Sequence, residues 1–234
     1  TVTTDDKADP LPAIAIDEPT ITLNFLANNS PFMGREGKYV TSRELRDYLR
    51  RELEVNVGLR VDFAAADVFQ VCGRGELHVA ILLENMRRAG YEVQVSQPQV
   101  ILRKENDGEL VEPFEEVVVD APQEYQGTII ERLGARAFVL KNIIQRDDII
   151  RLTLEGPTRG LLGYRNQFVV DTKGEGIFSS RVLGFRPHMG EVYRRRVGSM
   201  ISMANGKSLG YSLWGLQERG TLYISPGTEV YIGM

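Results

Sequence analysis

The chain has 234 residues, of which 42% are hydrophobic and 26% are charged, and its formal net charge is −4. This composition is ordinary for globular proteins and excludes disorder of the whole chain. No apolar run reaches the ~18 residues that span a bilayer, and we expect no signal peptide in the polar residues 1–12. A single cysteine, Cys72, excludes an internal disulfide framework and, with two histidines, disfavours a zinc site. We therefore expect a reducing compartment, the cytoplasm.

Charge is spread unevenly along the chain. Residues 1–18 carry five acids and one lysine, whereas residues 181–234 carry seven bases and three acids. Arginine outnumbers lysine 22 to 6. The acidic total argues against a general nucleic-acid coat, but the basic end leaves room for a local phosphate-binding face.

The residue pattern of the N-terminal part of the chain predicts a linker followed by a ferredoxin-like βαββαβ unit. Residues 1–17 are rich in Asp and Pro without a sustained period, so we interpret them as a linker. Ile21, Leu23 and Phe25 then alternate with polar residues, as in a strand with one buried face. The elements that follow are helix 42–54, strands 59–63 and 68–72, helix 76–89 and strand 91–95. This order defines a first predicted domain, 18–98.

The same order of elements repeats after a charged stretch, 99–112, which we interpret as a linker or hairpin. The second predicted domain, 113–191, comprises strand 116–120, a helix opening near Pro122, strands 138–143 and 150–154, a helix opening at Pro157 and strand 177–185. Residues 192–234 contain glycine, serine and short β-prone runs, namely 199–204, 209–214, 221–225 and 229–232. The predicted fold class is therefore α+β, with two tandem ferredoxin-like domains followed by a β-rich, incomplete C-terminal domain.

Motifs for catalysis are weak. Gly73-Arg74-Gly75 opens a helix, but His78 stands where a dinucleotide-binding loop needs its third glycine, and the βαββαβ order differs from a Rossmann unit. No G-x-x-x-x-G-K-[ST] loop is present, so this chain cannot bind a nucleoside triphosphate in that way. His78, His188 and Cys72 lack the neighbours of a nucleophile motif. We expect no catalytic, cofactor-binding or metal-ligating residues.

Basic segments are the strongest binding candidates. Between residues 181 and 207, six bases stand against Glu191 alone, and three of them form the run 194–196. Arginine binds phosphate bidentately, and neutralised phosphates give a salt-dependent affinity. A solvated strand face explains the same charges equally well. The loop Gly34–Lys38 is a second basic segment, whose glycines allow either close backbone approach or simple flexibility.

Several ordered motifs resemble translational GTPases of the elongation factor G class and, more closely, the BipA (TypA) family. The class motifs are Glu18–Thr22, Ser30–Phe32, Gly37–Ser42 and Gly73–His78, and those closer to the BipA family are Glu84–Arg88, Gly127–Gly134, Gly156–Arg165 and Met203–Lys207. The resemblance runs over the whole chain.

The resemblance implies that residues 1–17 are a linker from a preceding β-barrel domain. It also implies that residues 18–98 correspond to the factor's third domain, 113–191 to its fifth and 192–234 to a family-specific C-terminal domain. The GTPase domain, with its GTP and Mg²⁺, would lie outside these residues, so we expect no catalysis here although the intact protein would hydrolyse GTP. The resemblance also implies a cytoplasmic monomer that binds ribosomes near the factor-binding centre, without DNA or a membrane span. Its role would be large-subunit assembly and growth under stress or cold.

Contacts to ribosomal RNA are expected from residues chosen for local positive charge and a loop or helix-start position. The candidates are Arg35, Lys38, Arg159, Arg165, Arg194, Arg196 and Lys207. Two other functions remain open on fold alone. One is a small-molecule-sensing regulatory module built from tandem ferredoxin-like units. The other is an acylphosphatase, although residues 26–29 lack the arginine-bearing loop of that enzyme.

Overall fold

A computed structural model describes residues 18–105, 108–192 and 198–234. The chain divides into two compact units, Thr1–Tyr193 and Arg194–Met234. The linker predicted over 1–17 lies outside the described residues, as does the arginine run 194–196.

The first unit contains two ferredoxin-like modules. In the first module, residues 18–100, the strands are β1 (Ile21–Ala27), β2 (Arg60–Asp62), β3 (Val68–Gly73), β4 (Val93–Val95) and β5 (Gln99–Val100), and the helices are α1 (Ser42–Val55) and α2 (Glu76–Arg88). The sheet order is β2-β3-β1-β4 with antiparallel neighbours, and β5 also pairs with β1. This topology confirms the predicted βαββαβ unit.

Local sequence explains these elements. The alternating residues Ile21, Leu23 and Phe25 of β1 are all buried, as a half-buried strand requires. Helix α1 begins at a capping box, in which the Thr41 hydroxyl accepts from the Glu44 backbone N–H and the Glu44 carboxylate accepts from the Thr41 backbone N–H. The core of the first module lies between the sheet and its two helices.

The second module, residues 103–192, repeats the arrangement with longer strands. Its strands are β6 (Arg103–Lys104), β7 (Leu110–Pro122), β8 (Val139–Arg146), β9 (Ile149–Pro157) and β10 (Ile177–Pro187). Its helices are a 3₁₀ turn (Gln123–Tyr125), α3 (Gln126–Gly134), α4 (Thr158–Leu161) and α5 (Tyr164–Asp171). The sheet order is β10-β7-β9-β8, with β6 on β7, so the second ferredoxin-like unit is also confirmed.

Two details of the first unit differ from the sequence-based expectation. The stretch 99–112, predicted as a linker, contributes a short strand to each sheet and the start of β7, because its backbone groups find ladder partners in β1 and β7. The single helix predicted from Pro157 is divided into α4 and α5. Gly163 has a φ of +71°, which no helical residue adopts, and it separates the two segments.

The second unit, described from residue 198, combines a small sheet with one helix. Strands β11 (Gly206–Lys207) and β12 (Glu229–Val230) pair antiparallel, and helix α6 spans Gly210–Leu216. The β-prone run 209–214 is therefore helical, which corrects that part of the prediction. Short apolar runs satisfy strand and helix patterns alike, and here the helix closes through the Leu213 N–H to the Leu209 carbonyl, with Leu213 buried.

Candidate nucleic-acid interface

The basic loop of the first module is organised by one carboxylate, that of Glu92. Its Oε2 accepts hydrogen bonds from the Gly34 backbone N–H and the Asn28 side-chain amide, each at 2.9 Å. Its Oε1 accepts from the backbone N–H groups of Glu36 and Gly37 at 2.8 and 2.7 Å. The glycine-rich loop is therefore held by three backbone hydrogen bonds to a residue distant in sequence, and Asn28 supplies a fourth bond to the same carboxylate.

These bonds also fix the charge of Glu92. The N–H of Gly34, with smaller contributions from those of Gly37 and Glu36, lowers the pKa of the Glu92 carboxyl to about 2. Hydrogen bonds to the ionised form favour that form, so the carboxylate is charged at neutral pH and can accept all of these bonds.

Two predicted RNA-contact residues, Arg35 and Lys38, lie on this loop and are exposed. The Arg35 guanidinium lies over the Phe32 ring, 4.0 Å from its centroid, which fixes the plane of the guanidinium. The Lys38 backbone N–H donates to the Gly90 carbonyl at 2.8 Å, which fixes its Cα while leaving the side chain exposed. The structure thus presents both cations from one ordered segment.

A cluster of three tyrosines consists of Tyr48 on α1, Tyr91, and Tyr39, which directly follows Lys38 in the chain. Tyr39 stacks on Tyr91 with ring centroids 4.6 Å apart, and Tyr48 meets Tyr91 edge-on at 4.8 Å. The Arg51 guanidinium donates to the Tyr91 hydroxyl at 3.2 Å. Burial, with a smaller contribution from Glu52, raises the pKa of the Tyr48 phenol, so this ring stays neutral. A cavity of ≈ 390 Å³ opens beside the rings.

Sequence analysis missed both Glu92 and the tyrosine cluster. Glu92 occupies a polar position just before a short strand, and no sequence motif around it predicts that its carboxylate binds a loop. A partial signal existed for the tyrosines, since Tyr48 and Arg51 lie three residues apart on a helix and Tyr39 follows Lys38 directly.

The position of Arg159 differs from the prediction that its side chain is available to RNA. Its side chain is 14% exposed and pairs with Glu112, which is fully buried, with Nε–Oε2 at 2.5 Å and Nη2–Oε1 at 3.0 Å. Nη2 also donates to the Gly190 carbonyl, and Glu112 accepts from the Met189 N–H. The guanidinium is used inside the second module, where it ties α4 to β7 and to the segment after β10.

Two further cations of the basic C-terminal region are also paired within the fold. On the open face of the second sheet, Arg181 meets Glu116 at 2.7 Å and Arg186 meets Glu155 at 3.0 Å. Arg151 and Asp120 form a similar pair at 2.7 Å. Arg181 is therefore locally neutralised by an acid on the neighbouring strand β7, and Arg186 by an acid on β9, one strand further across the sheet.

The remaining candidates differ in position. Arg165 is exposed at the start of α5, where its guanidinium lies 4.9 Å from the Phe178 ring centroid and donates weakly to the Phe178 carbonyl at 3.4 Å. Lys207 is exposed on β11, in register with Glu229 of β12. Arg194 and Arg196 lie outside the described residues.

A cleft of ≈ 550 Å³ separates the two modules of the first unit. The Gly163 backbone N–H donates to the Glu76 carboxylate across it at 2.8 Å, and Leu162 packs against the core of the first module. Other lining residues include Arg74, His78, Ile81, Leu161, Arg165 and Phe178. The break between α4 and α5 therefore provides one contact that joins the modules, and the ion pair between Glu18 and Arg103 provides another.

His78 in this cleft has a structural role. Its Nδ1 accepts from the Arg74 backbone N–H at 3.3 Å, so Nε2 carries the proton and donates to Asn56 Oδ1 at 2.9 Å. Burial, followed by the charge of Arg74, lowers the pKa of the His78 imidazole. The ring is neutral at physiological pH and connects the end of α1 to the start of α2.

Within the described ranges, no group of three His, Cys, Asp or Glu side chains could hold a metal ion. No helix in the part of the chain that the structure describes is long and apolar enough to cross a membrane.

Comparison with known families matches two adjoining segments of the chain. Residues 109–196 match the elongation factor G C-terminus family, and residues 197–234 match the TypA/BipA C-terminal domain family. Proteins named large ribosomal subunit assembly factor BipA are 47% identical in Bacillus subtilis, 48% in Synechocystis sp. and 45% in Escherichia coli K12. These alignments cover 98–100% of this chain but only 38–39% of each relative.

The tandem ferredoxin-like modules and the match over 109–196 define the class, that of elongation factor G-type C-terminal domains. Residues 197–234 match the C-terminal domain of one family within this class, and the whole chain is 47–48% identical to members of that family. The chain therefore belongs to the BipA (TypA) family.

Proposed function

We propose that this chain is the ribosome-binding part of a cytoplasmic translational GTPase that assists assembly of the large ribosomal subunit. The observation that carries the proposal is 45–48% identity, over nearly the whole chain, to relatives named as large-subunit assembly factors. GTP and Mg²⁺ would be bound by a part of the protein outside these 234 residues, and the protein would act as a monomer. The relatives' names give no support to the small-molecule-sensing alternative.

Ribosomal RNA near the factor-binding centre is the proposed partner of the exposed cations. Arg35, Lys38, Arg165 and Lys207 support this proposal because each side chain is exposed. Arg194 and Arg196 stay in it on sequence grounds, and Arg159 leaves it because Glu112 uses its guanidinium. Arginine recognises phosphate bidentately, and each neutralised phosphate releases counterions, so binding should weaken steeply with salt.

Co-sedimentation of the chain with purified large subunits at several salt concentrations tests the proposal. The double variant Arg35→Gln/Lys38→Gln should bind more weakly and lower the slope of log affinity against log salt by about 1 for each phosphate that is no longer neutralised. Arg151→Gln removes an exposed cation that already has an acidic partner and is the matched control. Wild-type protein that fails to pellet with large subunits at low salt would contradict the ribosome assignment.

A further inference from the structure

The tyrosine platform, which comprises Tyr39, Tyr48, Tyr91 and the Arg51 guanidinium, has the chemistry of a base-stacking site. Tyr39 remains 40% exposed although one face of its ring lies on Tyr91. The cavity of ≈ 390 Å³ beside it is lined by the three tyrosines, by Arg51 and Glu52, and by the aliphatic Val55 and Ala89. Bases of single-stranded RNA stack on exposed rings of this kind.

The platform is held rigid before any ligand arrives. The Tyr39 backbone N–H donates to the Gly90 carbonyl at 3.1 Å, and its carbonyl accepts from the Glu92 N–H at 3.1 Å. Tyr91 is fixed by the same bridge and by the Arg51 guanidinium. A ring that is already ordered loses little conformational freedom on binding, so its stacking contributes to affinity without an ordering cost.

The surrounding charge suits a nucleotide better than an apolar peptide. Arg51 lines the cavity, while Lys38 and Arg35 lie on the loop that leads into Tyr39. The acids nearby include Glu36, Glu44, Glu52 and Glu92. Glu44 is engaged by the backbone N–H groups of Val40 and Thr41, and Glu92 accepts three hydrogen bonds from the loop and one from Asn28. Cations beside an aromatic ring can hold the phosphates that flank a stacked base.

We propose that the tyrosine platform binds an unpaired nucleotide of single-stranded RNA, with the base stacked on Tyr39 and its phosphates held by Lys38, Arg35 and Arg51. Unpaired bases are the part of a folded RNA that can be splayed onto a protein ring, whereas paired bases cannot reach it. Identifying that nucleotide as ribosomal rests on the proposed function, but the stacking site itself does not.

The probe is a fluorescently labelled ten-nucleotide oligoadenylate, with a duplex RNA of equal length for comparison. Tyr39→Leu should weaken binding of the single strand about 10–100-fold, the range expected when one base no longer stacks, while leaving the salt slope unchanged. Tyr39→Phe keeps the ring and should bind within about twofold of wild type. Lys38→Gln should instead reduce the salt slope. Tyr223→Leu, which removes another exposed tyrosine, is the matched control.

Base stacking can also be measured directly with the wild-type protein. An oligonucleotide carrying 2-aminopurine should lose fluorescence on binding wild-type protein, because stacking on an aromatic ring quenches that base. The proposal is overturned if quenching is absent, if Tyr39→Leu and Tyr39→Phe bind alike, or if the duplex binds as tightly as the single strand.

Large-subunit co-sedimentation of the same variants separates the two proposals. If the protein still pellets with large subunits but does not quench the 2-aminopurine oligonucleotide, the stacking site is overturned and the ribosome assignment stays in place. If the protein quenches the oligonucleotide but does not pellet with large subunits, the ribosome assignment is overturned and a single-strand RNA site remains.

Discussion

In the first module a carboxylate binds the backbone of a loop, and the cations of that loop, Arg35 and Lys38, are exposed. In the second module carboxylates bind the cations themselves. Asp120 and Glu116 hold arginines on the open sheet face, and Glu112 holds Arg159 in the interior. The two modules share one topology, but the basic loop of the first and the arginine pairs of the second use their acids in different ways.

The difference shows that positive charge in a sequence is not positive charge available to a partner. A surface arginine next to an acid on the neighbouring strand is largely neutralised, and a buried arginine must be paired because an isolated buried charge is costly. Where the acid is engaged by backbone N–H groups, as with Glu92, its hydrogen-bonding capacity is used by the loop backbone. Three experiments test this contrast, and a fourth tests the contact between the modules.

Removing the buried acid of the second module should have the largest effect. Glu112→Ala leaves Arg159 nearly buried without its partner and should lower the free energy of unfolding of that module by about 3–5 kcal/mol. Amide hydrogen exchange along β7 and β10 measures the loss. Glu116→Ala, which breaks the exposed pair with Arg181, is the control and should cost at most about 1 kcal/mol. Equal costs at the two positions would refute the distinction between buried and surface pairs.

At Gly163, where the α4–α5 break contacts the first module, adding a single methyl group should destabilise the protein through backbone strain. Gly163 has a φ of +71° and open space where a Cβ atom would lie, so Gly163→Ala should cost about 1–2 kcal/mol through backbone strain. Gly127→Ala, within α3 and equally unobstructed, should instead stabilise by about 0.5–1 kcal/mol. Urea denaturation of both variants measures the contrast. A stabilising Gly163→Ala would show that this joint tolerates a continuous helix.

Acid should release the basic loop of the first module before it unfolds the core. The folded-state pKa of Glu92 is lowered to about 2 from an ordinary 4.5, so its contribution is complete above about pH 4.5 and is lost as pH falls toward 2. Because the loop is near solvent, we expect roughly a tenfold loss of amide protection at Gly34, Glu36 and Gly37 by pH 3. Hydrogen exchange by NMR measures it. Glu92→Gln should show low protection at every pH, and a loop unaffected by that change would contradict this account.

Breaking a fully exposed pair of the first module should have the smallest effect. Glu84 on α2 bonds to Arg87 and Arg88, and these bonds, Arg87 first, lower the pKa of its carboxyl to about 2. Solvent screens such pairs, so Glu84→Gln should leave Tm unchanged within about 1 °C. A large drop in Tm would mean that surface pairs matter here as much as the buried pair of Glu112.

Local patterns made much of the fold predictable. Alternation placed β1 and β9, the capping box placed the start of α1, and the repeated order of elements indicated two ferredoxin-like modules. The run 209–214 was the clear failure, since a six-residue apolar pattern does not separate strand from helix. For the candidate interface, sequence identified Arg35 and Lys38 on their loop but also offered Arg159, whose partner lies 47 residues away.

The amino-acid sequence was sufficient for the class of fold, the family and the places where positive charge is concentrated, because these depend on period, motif and composition along the chain. The packing of the folded chain was needed to show which cations are paired with acids and which side chains share a site. Glu92 binds a loop more than fifty residues away, and Tyr39 meets Tyr91 across a similar separation. Such pairings are set by how strands and helices pack in three dimensions, and no pattern read along the chain carries that information.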